Sequence, residues 1–185
     1  DSGLDGAARE TYYSAAVEPR PSQACGDDCL LRWAELGAKV EPDLIWFDWW
    51  IAQPSVSAHL QTFSSYYYNR GKTFPHMVAI NYKAFGGESF PDTAGVLDIE
   101  RGGLADKREL LWQTDTSVSK NSWGYVSNHD YKTVNSLVDD LVDIVSKNGV
   151  MLLNIGPKPD GTIPQREQDM LLEMGEWLKQ NGEPI

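Results

Sequence analysis

Apolar and polar positions along this chain follow two periods, and the switches between them mark its elements. From Asp28 onward, Leu30, Leu31, Trp33, Ala34 and Leu36 recur at helical spacing, and Pro42 closes the turn after Val40 and Glu41. Residues 43–48, DLIWFD, then form a nearly continuous apolar run ended by a carboxylate, the pattern of a parallel strand buried on both faces. Val56, Leu60, Phe63 and Tyr67 predict a helix from Ser55 to Asn69, with Gly71 just beyond as its stop. His76 to Tyr82 reads as a second strand, Val96 to Glu100 as a third that alternates apolar and acidic residues, and Leu110 to Gln113 as a fourth.

The clearest amphipathic helix lies between Lys132 and Lys147, where Val134, Leu137, Val138, Leu141, Ile144 and Val145 share a face and Asn148-Gly149 ends the run. Val150 to Ile155 follows as a buried strand. A last helix begins at Pro164, which suits a first helical position, and carries Met170, Leu171, Met174, Trp177 and Leu178 on one side. Strands alternating with helices predict an α/β fold with a parallel sheet or barrel. Residues 1–27 lack such periodicity and read as an irregular segment ahead of one folded region, residues 28–185.

Composition narrows the partners. A net charge of -11 argues against a polyanion, because phosphate backbones are held by clustered Lys and Arg that this sequence lacks. No stretch approaches the roughly 20 apolar residues of a membrane span. Nucleic acid and membrane are therefore not expected as partners. Cys25 and Cys29 are the two cysteines, spaced C-x3-C with no His nearby to complete a tetrahedral zinc site, so no metal is expected. The pair reads either as a small disulfide loop, the favoured expectation, or as two free thiols just before a helix.

Candidate chemistry sits where carboxylates close apolar strands, since catalytic groups of α/β barrels lie at the C-terminal ends of strands. Asp48 fits that position and is flanked by Trp46, Phe47, Trp49 and Trp50, whose rings suit the apolar patches of a sugar; Trp49 and Trp50 read equally well as core. An ionised carboxylate among aromatics is costly without a partner or a role. Glu100 is the second candidate, open at this stage between a general acid/base and a structural pairing with Arg101. Glu88 is held in reserve, and Asp98 shares the face of Glu100 but lies deeper in its strand. His129 precedes a helix where it can meet a ligand, whereas His59 reads as structural and His76 stands at the start of its strand.

The segments DLIWFDWW, LDIERGG, WQTDTSVSKNSWGY and LVDIVSKNGVMLLNIGPKPDGTIPQREQDMLLEMGEWLKQNGEPI resemble glycoside hydrolase family 29, the α-L-fucosidases, over most of Pro42 to Ile185. The resemblance implies a partial (β/α)8 barrel running from about the fourth strand to the last helix. It implies retaining hydrolysis of terminal α-linked L-fucose by double displacement, with Asp48 as nucleophile and no cofactor. The alternative is a catalytically incomplete fragment that binds carbohydrate or acts structurally.

One common version of the family places a Glu directly after the Trp of the segment matching WQTDTS; Gln113 stands there, which moves the acid/base role to Glu100. Trp46 matches the family's fucose-contacting tryptophan, and Trp49, Arg101, Trp112 and His129 are the further expected substrate contacts. The earlier barrel strands and the usual β-sandwich that follows the barrel are expected to be missing. The expected partners are a fucosylated glycan and, for the protein itself, either self-association or a chain supplying the other half-barrel. By resemblance the location is secreted, periplasmic or lysosomal.

Overall fold

A computed structural model describes residues 23–48, 55–83 and 90–183. Two compact units divide the chain, Asp1–Val96 and Leu97–Ile185.

In the first unit, α1 (Gln23–Lys39) leads into β1 (Leu44–Phe47), α2 (Ser57–Gly71) and β2 (Ala79–Lys83). β1 pairs with β2 in parallel, with Leu44 opposite Ala79 and Phe47 opposite Tyr82. Side chains alternate across a strand, so Leu44 and Trp46 share one face with Ala79, Asn81 and Lys83. Ile45 and Phe47 share the other face with Ile80 and Tyr82. The helices cover the second face: Phe47 and Phe63 both lie edge-on to Trp33, at 5.0 and 5.7 Å between ring centroids, and Phe63 stacks on Tyr67 at 5.7 Å. The buried Tyr67 hydroxyl donates to the Pro42 carbonyl at 2.6 Å, and burial pushes that phenol up to about 12.

Phe63 is fully buried at the centre of this cluster. Phe63→Ala is expected to destabilise the first unit by about 3–5 kcal/mol, the range for removing a buried aromatic ring, read as a lowered urea midpoint.

The first helix begins earlier than its apolar pattern, at Gln23 rather than Asp28. Its first turns are polar but tied tertiarily: the buried His59 ring on α2 places Nε2 2.9 Å from Asp27 Oδ1 and 3.1 Å from Gln23 Nε2. A Cβ at Gly26 would stand 2.5 Å from that ring, so the two helices approach this closely only with glycine there. The same early start corrects the disulfide expectation. Cys25 and Cys29 lie one turn apart inside α1 as thiols and not as a disulfide, since Cβ atoms one turn apart are ~5–6 Å from each other rather than the ~3.8 Å a disulfide needs.

The second unit holds β3 from Leu97 on (Val96–Glu100), β4 (Trp112–Ser117), α3 (Val134–Ser146), β5 (Gly149–Asn154) and α4 (Gln165–Asn181). β3 pairs with β4 and β4 with β5, both in parallel. The helix-facing side of the sheet sends Met151 and Leu153 into a core of Val118, Val134, Leu137, Val138, Met170 and Met174. Thr133 caps α3 by accepting the Ser136 N–H at 3.1 Å, and Asn148 beyond its end is left-handed at φ 63°. Pro164 proves to be the N-cap of α4, one place before the first helical residue.

Two strands differ from their expected spans. The run from His76 becomes a strand only at Ala79 and extends to Lys83. The fourth strand is Trp112–Ser117, not Leu110–Gln113, and all six of its residues are buried. Leu110 and Leu111, the apolar pair that suggested it, are exposed at 41% and 47%. The hydroxyls of β4 are held by partners: Thr114 Oγ1 donates to the Ile99 carbonyl at 2.6 Å, and Thr116 Oγ1 accepts from Lys132 Nζ at 2.9 Å.

Candidate active site

Within each unit, a carboxylate stands at the C-terminal end of a strand on the side away from the helices. In the first unit, continuing the alternation past Phe47 brings Asp48 to the side of Trp46, and Asp48 is exposed. Trp46 is 37% exposed, and the Lys83 ammonium lies 5.4 Å from its ring centroid, within cation–π range. Lys83 itself is 2% exposed, at the C-terminal end of β2. An apolar pocket lined by Trp33, Leu36, Val40, Pro42, Leu44 and Ile45 opens near the start of β1, the opposite end from Asp48.

In the second unit, Asp98 and Glu100 share a face with Gln113, Asp115 and Ser117 of β4 and with Val150, Leu152 and Asn154 of β5. Glu100 is exposed at the end of β3 and pairs in register with the buried Asp115, which lies two residues before the end of β4, so two carboxyl-bearing residues stand side by side. Arg101, the next residue, is left-handed at φ 47°, and its N–H donates to the Asp115 carbonyl at 2.9 Å. A non-glycine residue in that region is strained, and such strain gathers at functional sites.

The remaining expected contacts fall differently. Arg101 directs its guanidinium onto the loop after β4, donating to the Ser119 carbonyl at 2.9 Å and the Ser122 carbonyl at 3.5 Å while stacking 4.1 Å over Trp123. Trp112 opens β4 at its N-terminal end, fully buried on the helix-facing side, with Nε1 donating to the Lys147 carbonyl at 2.9 Å. A Cβ on Gly149 would sit 2.6 Å from that indole. The His129 side chain is 4% exposed: Nε2 accepts the Val126 N–H at 3.2 Å and Nδ1 lies 2.9 Å from Ser119 Oγ. These placements put Trp112 and His129 in packed interiors without a free ring face. Trp49, Trp50 and Glu88 lie outside the described residues.

Sequence reading passed over Lys83, Asp115, Trp123 and Glu167. Lys83 and Asp115 carry a readable signal, being in parity with Trp46 and Glu100 across neighbouring strands. Glu167 does not: it is fully buried on the first turn of α4, where its carboxylate accepts the Gly156 N–H at 2.8 Å and the Tyr131 hydroxyl at 3.2 Å. Burial first, and the Glu167 charge second, push the Tyr131 phenol above its ordinary range. Among the described residues, no group of three or more His, Cys, Asp or Glu is placed to hold a metal, and no helix is long and apolar enough to cross a membrane.

Parallel strands, with helices joining β1 to β2 and β4 to β5 and acidic residues at the C-terminal ends of β1 and β3, define a segment of an α/β barrel of the kind that carries enzymes. The profile of the family described as alpha-L-fucosidase matches residues 7–183. The chain belongs to the α-L-fucosidase family. Plasma alpha-L-fucosidase of Rattus norvegicus is 32% identical over 155 residues, 82% of this chain and 33% of the rat protein. Tissue alpha-L-fucosidase of the same organism is 33% identical over 158 residues, with the same shares. A solved Thermotoga maritima alpha-fucosidase superposes with a TM-score of 0.73 at 28% identity, covering 95% of this chain and 40% of its own. The same enzyme in complex with fucose gives a TM-score of 0.71 at 28% identity, with 94% and 39% covered. The fold is thus α/β, part of the (β/α)8 barrel of these enzymes. The chain spans about a third of the length of the curated relatives named here.

Proposed function

We propose that this chain carries the chemical half of a retaining α-L-fucosidase that hydrolyses terminal α-linked L-fucose. The observation that bears the most weight is Asp48 at the end of β1, on the side where Trp46 offers an exposed ring, in a chain of this family. Asp48 attacks the anomeric carbon and forms a β-fucosyl-enzyme; Glu100 protonates the departing glycosidic oxygen, then takes a proton from the water that releases fucose. Gln113, an amide, has no acidic proton to give, which favours Glu100 over that position. Trp46 supplies the sugar platform, with Trp49 as a second ring. Lys83, fixed against Trp46, adds a cation on the same side. A fucosylated glycan is the substrate class, and the setting is secreted, periplasmic or lysosomal.

A specific observation supports a second reading, in which the isolated chain binds carbohydrate or acts structurally rather than turning over. Leu31, Leu36, Val40 and Leu44 of the first unit are 46–70% exposed, and β1 pairs on one side only among the described residues. Unpaired strand edges beside exposed apolar side chains favour association. Light scattering and turnover of an aryl α-L-fucoside, measured on one sample, separate the readings. Self-association with weak turnover is expected. A monodisperse monomer with the turnover of a full-length relative would show that no second chain is needed, and fucose binding with no turnover at all would leave the binding reading alone.

A further inference from the structure

We propose that Arg101 is a positioning residue that clamps the loop after β4, and that it acts on fucoside hydrolysis through that loop rather than by touching the sugar. Three successive strand ends of the second unit hold the same turn. From the end of β3, Arg101 donates to the Ser119 and Ser122 carbonyls and covers the Trp123 ring. From the end of β4, Ser117 Oγ donates to the Ser122 carbonyl at 3.2 Å. From the end of β5, Asn154 Nδ2 donates to the Trp123 carbonyl at 2.6 Å.

Arg101 differs from the other two clasps in being strained. Its left-handed backbone follows Glu100 directly and is pinned by the N–H bond to Asp115, so the turn that aims the guanidinium at the loop is also the turn that ends Glu100's strand. One planar cation therefore ties the candidate acid/base to the Trp123 loop, with the fork geometry that lysine's single ammonium lacks. Both terminal guanidinium nitrogens are directed at carbonyls of the loop and one face of the plane is covered by indole, so the group is turned towards the loop.

The catalytic consequence rests on the fucosidase reading; the structural one does not, and the test separates them. Hydrogen exchange on the whole chain is compared for wild type, Arg101→Ala and Arg101→Lys. Loss of two hydrogen bonds and a stacked cation is expected to speed exchange of the amides from Ser119 to Gly124 by about tenfold or more, with β4 and α3 unchanged. Lysine should give an intermediate rate.

In parallel, kcat/KM on an aryl α-L-fucoside is measured for Arg101→Ala, Trp123→Ala and the double variant. A drop of about tenfold or more in Arg101→Ala that largely disappears in the Trp123→Ala background is the expected coupling. Unchanged loop exchange, or losses that simply multiply, would overturn the clamp and return Arg101 to the sugar. If the wild type does not turn over, the fucosidase reading fails while loop exchange still decides for or against Arg101. Should Arg101→Ala fail to fold, Arg101→Lys carries both measurements.

Discussion

Asp48→Ala is expected to lower turnover of an aryl α-L-fucoside by a factor on the order of 10⁴ or more, the scale seen when an enzyme's nucleophile is removed. The reason is covalent. Without the carboxylate no fucosyl-enzyme forms, and water must displace the leaving group directly without the Asp48 carboxylate. Asp48 is exposed at the end of β1 and belongs to no buried packing, so the variant should keep its fold and its melting temperature. Azide fits the space that the carboxylate vacates and attacks the anomeric carbon from that side. Restored turnover with β-fucosyl azide as product is therefore the signature of a lost nucleophile. Unchanged hydrolysis in Asp48→Ala would remove this residue from the mechanism.

Much of the fold was readable because it is written in apolar periodicity. Val96–Glu100 appears over the expected residues, and α3, β5 and α4 fall within two residues of their predicted ends, because caps such as Thr133 and stops such as Asn148 act locally. Legibility failed where tertiary partners replace local pattern. β4 is a buried strand of Gln, Thr, Asp and Ser, which no hydrophobicity rule selects, and it exists because carbonyls and Lys132 wait for its hydroxyls. The start of α1 depends on His59, more than thirty residues away, and so the two cysteines looked like a loop.

The candidate site divides in the same way. Strand-end position pointed to Asp48 and Glu100 from the sequence, and the family resemblance to Trp46. Side-chain direction did not follow: Arg101 and His129 turn onto the loop after β4, and Trp112, at the start of β4, turns into the helix-covered side. Residue type alone does not say whether a polar group serves the protein or its ligand.

Glu100→Gln is expected to separate substrates by their leaving groups. A poor leaving group departs as an alkoxide unless it is protonated, so hydrolysis of such fucosides should fall by about 10²–10⁴-fold, the usual contribution of general acid catalysis. A dinitrophenyl fucoside leaves readily without help, so its fucosyl-enzyme should still form at Asp48, and breakdown of that intermediate, which needs the base, becomes slow. A burst of dinitrophenolate followed by a low steady rate is the expected time course. Azide needs no base and attacks the β-fucosyl-enzyme directly, so it should restore the steady rate with α-fucosyl azide as product, opposite in configuration to the product from Asp48→Ala. Asp115, the buried register neighbour of Glu100, is the control. If Glu100→Gln slows both substrates equally while Asp115→Asn shows the burst and the α-azide, the acid/base role belongs to Asp115 and Glu100 serves the strand end alone.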